Sequence, residues 1–247
     1  MLRGRLLELL LATAVIALVA QLVGPWSLRW LKRPGPGDLG VVATESGEIL
    51  VYLPREYGKQ SGPWPLVVFL HGSGGRGADI SLVRRGGLPR LLDEGLVCPC
   101  VVAAPQCRQD AAWRADRVMP VVDSVVSSFH VDPARIYLTG YSMGGFGTWQ
   151  IAAREPARFA AIVPLCGGGD IGIADSLRGT PVWAFHGSLD EVVPVAASQE
   201  IVDSITSAGG EARLSVLDGL GHDICRDVYR RRELFDWLLS KRLDPGS

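Results

Sequence analysis

The chain has 247 residues, 47% of them apolar and 21% charged, with a formal net charge of −1. That apolar share supports a buried core and excludes global disorder. The balanced charge, with no long basic run, excludes the electrostatic steering on which nucleic-acid or anionic-membrane binding relies.

Arg3 and Arg5 precede an apolar run over residues 6–23, interrupted by Glu8, Thr13 and Gln21. As a helix the run is about 27 Å long, close to the thickness of the bilayer core. A cleaved secretory signal is the alternative, but no small-x-small site follows, since Ala20 has Leu18 two positions before it. The run is apolar all round, unlike an amphipathic core helix. Residues 1–32 are therefore expected to be one N-terminal hydrophobic helix, a membrane anchor or, if cleaved, a signal segment. Arg29, Lys32 and Arg33 behind the run balance Arg3 and Arg5, so charge does not set the orientation. The expectation is an extracytoplasmic domain on a single anchor. Residues 33–46, with Pro34 and Pro36, are expected as a linker leading into the fold, and residues 47–247 as the folded domain.

Short apolar runs then alternate with amphipathic stretches. Strands are expected at residues 49–53, 66–70, 101–104, 136–139, 161–165, 182–185 and 213–217. Helices are expected at 82–94, 119–129, 143–154, 196–208 and 226–241. Several strands are apolar along their whole length, as in parallel strands buried on both faces. The alternation implies an α/β fold with a mostly parallel central sheet flanked by helices. In such sheets, sites form where strands end and loops begin.

Gly140-Tyr141-Ser142-Met143-Gly144 fits G-x-S-x-G. The strand Ile136–Thr139 lies before it, and Phe146, Trp149, Ile151 and Ala152 suit a helix after it. A strand–turn–helix sets a serine hydroxyl on a sharp turn, beside a helix N-terminus that favours negative charge. A serine hydroxyl needs a base to remove its proton. Of four histidines, only His186 and His222 follow Ser142, and only His222, in Gly219-Leu220-Gly221-His222-Asp223, leaves room for an acid between. Asp190 ends the turn after the 182–185 strand and is the preferred acid over Asp170, Asp175, Asp203 and Asp218. His186 is expected to brace the Asp190 turn. Acyl transfer also needs N–H donors for the developing oxyanion. The backbone N–H of Met143 supplies one, and the loop His71-Gly72-Ser73-Gly74-Gly75 supplies the second from Ser73. No Lys-Ser or Lys-Thr follows that loop, which argues against a nucleotide-phosphate cradle. Trp113, Phe146 and Trp149 are apolar neighbours of the site, with core packing the expected role of each.

Five cysteines, Cys98, Cys100, Cys107, Cys166 and Cys225, cannot all pair within one chain. Cys98 and Cys100 are expected on one face of a strand, a poor geometry for bonding each other. No zinc spacing occurs. The expectation is buried thiols with at most one disulfide.

His71–Gly75, Ala104-Pro105-Gln106-Cys107, Asp132-Pro133-Ala134-Arg135-Ile136-Tyr137, Gly140–Trp149, Cys166-Gly167-Gly168-Gly169-Asp170, Trp183–Asp190 with Val193-Pro194, and Gly221-His222-Asp223 occur in this order. Together they resemble the dienelactone-hydrolase-like and phospholipase/carboxylesterase-like branch of the α/β-hydrolases, in particular esterases and peptidases related to prolyl oligopeptidase catalytic domains. The resemblance covers about residues 47–239. It implies the α/β-hydrolase fold, the triad Ser142, Asp190 and His222, and no cofactor or metal. The chain departs from these relatives in two places. Cys225 stands where relatives often carry an aromatic, and Ser142 stands where dienelactone hydrolases proper use cysteine, so their particular substrate does not carry over. The expected activity is hydrolysis of a carboxylic ester, small or attached to a polysaccharide. Amide hydrolysis on the same residues and a non-catalytic, membrane-tethered binding module are the alternatives.

Overall fold

The computed structural model describes residues 29–30, 34–59 and 62–244. The run 6–23, on which the expected hydrophobic helix rests, lies outside the described residues. Among the described residues no helix is long and apolar enough to cross a membrane.

Nine strands are described: β1 (Arg29–Trp30), β2 (Leu39–Thr44), β3 (Gly47–Tyr52), β4 (Trp64–Leu70), β5 (Val101–Pro105), β6 (Val131–Tyr141), β7 (Ala161–Leu165), β8 (Val182–Gly187) and β9 (Ala212–Leu217). They form one sheet in the order β1-β2-β3-β5-β4-β6-β7-β8-β9. The β1–β2, β2–β3 and β3–β5 pairs are antiparallel. From β5 to β9 every pair is parallel. The helices are α1 (Ser81–Arg84), α2 (Gly87–Asp93), α3 (Ala115–Ser128), α4 (Met143–Arg154), α5 (Ala196–Ser207), α6 (Cys225–Tyr229) and α7 (Arg232–Ser240).

Each residue of β4, β5, β7 and β8 is buried, as a strand covered on both faces requires. Successive side chains point to opposite faces, so one strand feeds two cores. Leu66, Val68 and Leu70 join Val121 and Val122 of α3, Trp149 of α4 and Ile201 of α5. Val67 and Phe69 join Leu88 and Leu91 of α2, Val228 of α6 and Leu234 of α7. Each fully buried Val, Leu or Phe contributes roughly 1.5–3 kcal/mol. These two layers hold the sheet and the loops at its end in place.

Every expected strand is found, with shifted ends. Residues 33–46 are more than a linker, because 39–44 form β2. The Thr44 hydroxyl closes the β2–β3 turn by donating to Gly47 O at 2.7 Å and accepting from Ser46 N–H. The helix expected at 82–94 breaks into α1 and α2. Gly87 adopts φ +55°, and a Cβ there would lie 2.2 Å from the Phe69 ring. The 226–241 helix likewise divides into α6 and α7. The 119–129 helix begins earlier, at Ala115, with Pro120 inside it. Cys98 and Cys100 precede β5 rather than lying within a strand, and all five cysteines are free and buried.

The Asp132-Pro133-Ala134-Arg135 stretch ties the start of β6 to the segment that follows α7. The Asp132 carboxylate accepts Ala134 N–H at 3.0 Å, Arg135 Nε at 2.8 Å and Arg242 Nη1 at 2.7 Å. Burial opposes its ionisation, but these partners outweigh burial and hold it below the usual carboxylate range. We expect Asp132→Asn to lower unfolding free energy at neutral pH by about 1–3 kcal/mol, measured in urea. A carboxylate depressed in the folded state contributes its stability above its unfolded value of about 3.9 and loses it as pH falls further. The gap between parent and variant should therefore narrow below about pH 4.

Candidate active site

Ser142 lies between β6 and α4 with φ 56° and ψ −118°. This is a strained conformation for a residue with a side chain. Backbone contacts hold it there. Ser142 N–H donates to Leu165 O of β7 at 2.9 Å, and Phe146 N–H donates to Ser142 O at 3.0 Å. The motif's glycines are required by space. A Cβ at Gly144 would lie 1.9 Å from Leu70 O, and one at Gly140 would lie 2.3 Å from Gly144 O.

His222 lies in the loop between β9 and α6, and Asp190 in the loop between β8 and α5. The structure brings both to Ser142. His222 Nε2 is 2.9 Å from Ser142 Oγ, and His222 Nδ1 is 2.7 Å from Asp190 Oδ2. The His222 ring also stacks obliquely on Tyr141, centroids 5.0 Å apart. The Asp190 side chain is fully buried, whereas that of His222 is 17% exposed. The acid is thus shielded while the imidazole keeps access to the surface.

Asp190 is surrounded by donors. Oδ1 accepts the Val192 and Val193 N–H groups, each at 2.9 Å. The His186 Nε2 atom lies 3.2 Å from Oδ2, and the Cys166 sulfur lies beside the same carboxyl. Burial alone would raise its pKa, but His222, the two backbone N–H groups and Cys166 outweigh burial and push it down to about 2. Burial drives the Cys166 thiol the other way, to about 12, so it keeps its proton. The ligand-type atoms of Cys166, His186 and Asp190 lie within 4.8 Å of one another.

His186 bridges two loops, with Nε2 2.9 Å from Val193 O and Nδ1 2.8 Å from Ser198 Oγ of α5. Sequence reasoning placed His186 at this turn but missed Cys166 and Ser198 as its neighbours. The available signal was position: Cys166 directly follows β7, and β7 pairs with β8, so their loops meet.

The loop with Ser73 leaves β4 beside β6, in parallel register at Leu70 and Gly140. Ser73–Gly75 form a 3-10 turn, and Met143 opens α4, so both expected oxyanion donors belong to loops at the same sheet end. His71 fixes this loop. Its Nδ1–H donates to Gly72 O at 2.6 Å, its Nε2 accepts Cys107 N–H at 2.9 Å, and its carbonyl accepts Trp113 Nε1–H at 2.9 Å. Trp113 and Trp149 are core residues, 4% and 0% exposed. Phe146 is 41% exposed and lies against Gly168. Gly144→Ala should lower stability by about 3 kcal/mol or more in denaturant unfolding, because the added methyl meets backbone that cannot step aside.

Residues 107–231, which contain Ser142, Asp190 and His222, match the family described as the dienelactone hydrolase family. A bifunctional acetylxylan esterase/xylanase from Neocallimastix patriciarum is 30% identical over 88 residues, covering 36% of this chain and 12% of that protein. Acyl-protein thioesterase 1 from Eremothecium gossypii is 33% identical over 97 residues, covering 36% of this chain and 41% of that protein. Among solved structures, a thermostable esterase superposes with a TM-score of 0.69 at 30% identity, covering 83% of this chain and 63% of that one. The chain spans less than two thirds of the length of each.

Proposed function

The chain belongs to the dienelactone hydrolase family, and from that premise we propose that it is a serine esterase working through an acyl-enzyme. The observation that carries this reading is the unbroken hydrogen-bonded series Ser142 Oγ, His222 and Asp190, at 2.9 and 2.7 Å. His222 Nε2 takes the Ser142 proton as Oγ attacks the ester carbonyl, then returns it to the leaving alcohol. It next takes a proton from water as that water attacks the acyl carbon, and gives it to Ser142 Oγ as the C–Oγ bond breaks and the acid leaves. Asp190 holds the proton on Nδ1, which keeps Nε2 free as acceptor, and offsets the positive charge that forms on the ring. The N–H groups of Met143 and Ser73 receive the oxyanion. The likeness to an acetylxylan esterase supports a polysaccharide-linked ester as substrate, beside small-molecule esters. The apolar run at residues 6–23 supports a membrane tether with the catalytic domain outside the cytoplasm.

A fluorophosphonate probe should label the full chain stoichiometrically and leave Ser142→Ala unlabelled. A folded parent that stays unlabelled would remove the esterase reading. Asp190→Asn should reduce kcat on an aryl ester roughly 10³–10⁴-fold, because the imidazole loses its orienting partner. Matched ester and anilide substrates should show the ester cleaved faster, since an amine is the poorer leaving group. The tether is checked by alkaline extraction of membranes: the full chain should stay with the lipid, and recovery in the soluble fraction would count against it.

A further inference from the structure

His71 and His186 are both buried histidines, but their partners differ in kind. The His71 ring meets one acceptor, Gly72 O, and one donor, Cys107 N–H. A neutral ring with its proton on Nδ1 satisfies both. Around His186 the count is different. Nε2 faces two acceptors, Val193 O at 2.9 Å and Asp190 Oδ2 at 3.2 Å. Nδ1 faces Ser198 Oγ at 2.8 Å, and that hydroxyl is 2.7 Å from Gly167 O. A hydroxyl has one proton. If it goes to Gly167 O, Nδ1 must donate to Ser198. If it goes to Nδ1, the close contact between Ser198 Oγ and Gly167 O has no proton. Either neutral tautomer leaves two acceptors pressed together inside a site where the ring is fully buried, a costly arrangement. A ring carrying both protons satisfies every contact, and the Asp190 carboxylate compensates its charge.

We infer that His186 is a buried imidazolium that shares Asp190 with His222 and acts as a positioning residue for the acid. This rests on the esterase reading of Ser142, His222 and Asp190. The groups facing the ring are Asp190 and Val193 O from the loop after β8, Ser198 from α5, and the Cys166 thiol from the loop after β7, with Gly167 O behind Ser198. His222, in the loop after β9 and followed in sequence by Asp223, meets the same carboxylate oxygen, Oδ2. The positive ring offsets part of the Asp190 field at His222.

The first test is the nitrogen NMR of histidine-labelled full chain at pH 7, with His186 assigned through its contacts to Val193 and Ser198. Both His186 ring nitrogens should carry a proton, while His71 shows one protonated and one bare nitrogen. A bare nitrogen on His186 would overturn the inference. The spectrum reads the ring whether or not Ser142 reacts, so its failure is distinct from failure of probe labelling. The second test is the pH profile of kcat/KM for His186→Gln, which keeps a donor but removes the charge. The acid limb should move up by roughly one pH unit, and an unmoved limb in a folded variant would overturn the role. Should that variant not fold, Ser198→Ala removes the Nδ1 acceptor. It should move the limb the same way by less, and here too an unmoved limb counts against the role.

Discussion

The carbonyl oxygen of Leu70 occupies the space where a side chain at position 144 would begin, 1.9 Å from an ideal Cβ. That approach seats the first turn of α4 directly on the end of β4. The chain must then turn sharply between β6 and α4, and Ser142 takes the strain with its positive φ. The turn is held from the other side by Leu165 O of β7. One close contact between the end of β4 and the first turn of α4 thus sets the direction of the hydroxyl and brings the loop after β4 beside it. Strain of this kind costs on the order of 1–3 kcal/mol and persists because two packed cores leave the backbone no alternative.

The second constraint is electrostatic. A fully buried carboxylate is costly unless its lone pairs are satisfied and its charge is compensated. Asp190 meets this with donors from two loops: its own Val192 and Val193, and His222 after β9. The same contacts that keep it ionised fix the relative positions of those loops. Structure and reactivity here have one cause, since a loop that shifted would lose a donor to a buried anion.

A third set of residues stands outside the cores. Phe146, Ile171, Leu189 and Val192 are exposed apolar residues, 41%, 55%, 63% and 68% accessible, in the first turn of α4 and in the loops after β7 and β8. Loops carried on a rigid sheet are where binding contacts usually sit.

Local patterns were enough to read the seven strands from β3 to β9 and the α/β order, and to pick out Ser142, Asp190 and His222 as residues that the fold brings together. Apolar runs report burial on both faces, and the G-x-S-x-G glycines report a turn, because both are properties of short stretches of chain. β2 was lost in a proline-containing lead-in, since an antiparallel strand at the margin needs its partner β3 to be recognised. The breaks between α1 and α2 and between α6 and α7 were equally hidden, because the amphipathic pattern runs on across them. Gly87 takes its conformation against Phe69, a residue 18 positions away in sequence. The contacts of Cys166 and Ser198 belong wholly to the tertiary structure. Cys166 follows β7 and reaches Asp190 through the side-by-side alignment of β7 and β8, while Ser198 reaches His186 because α5 folds back beside the end of β8. The sequence by itself determined which residue types stand at the ends of which strands. Which of those ends meet, and therefore which buried donors face which acceptors, was decided by strand order, a long-range choice made by the packing of the whole sheet.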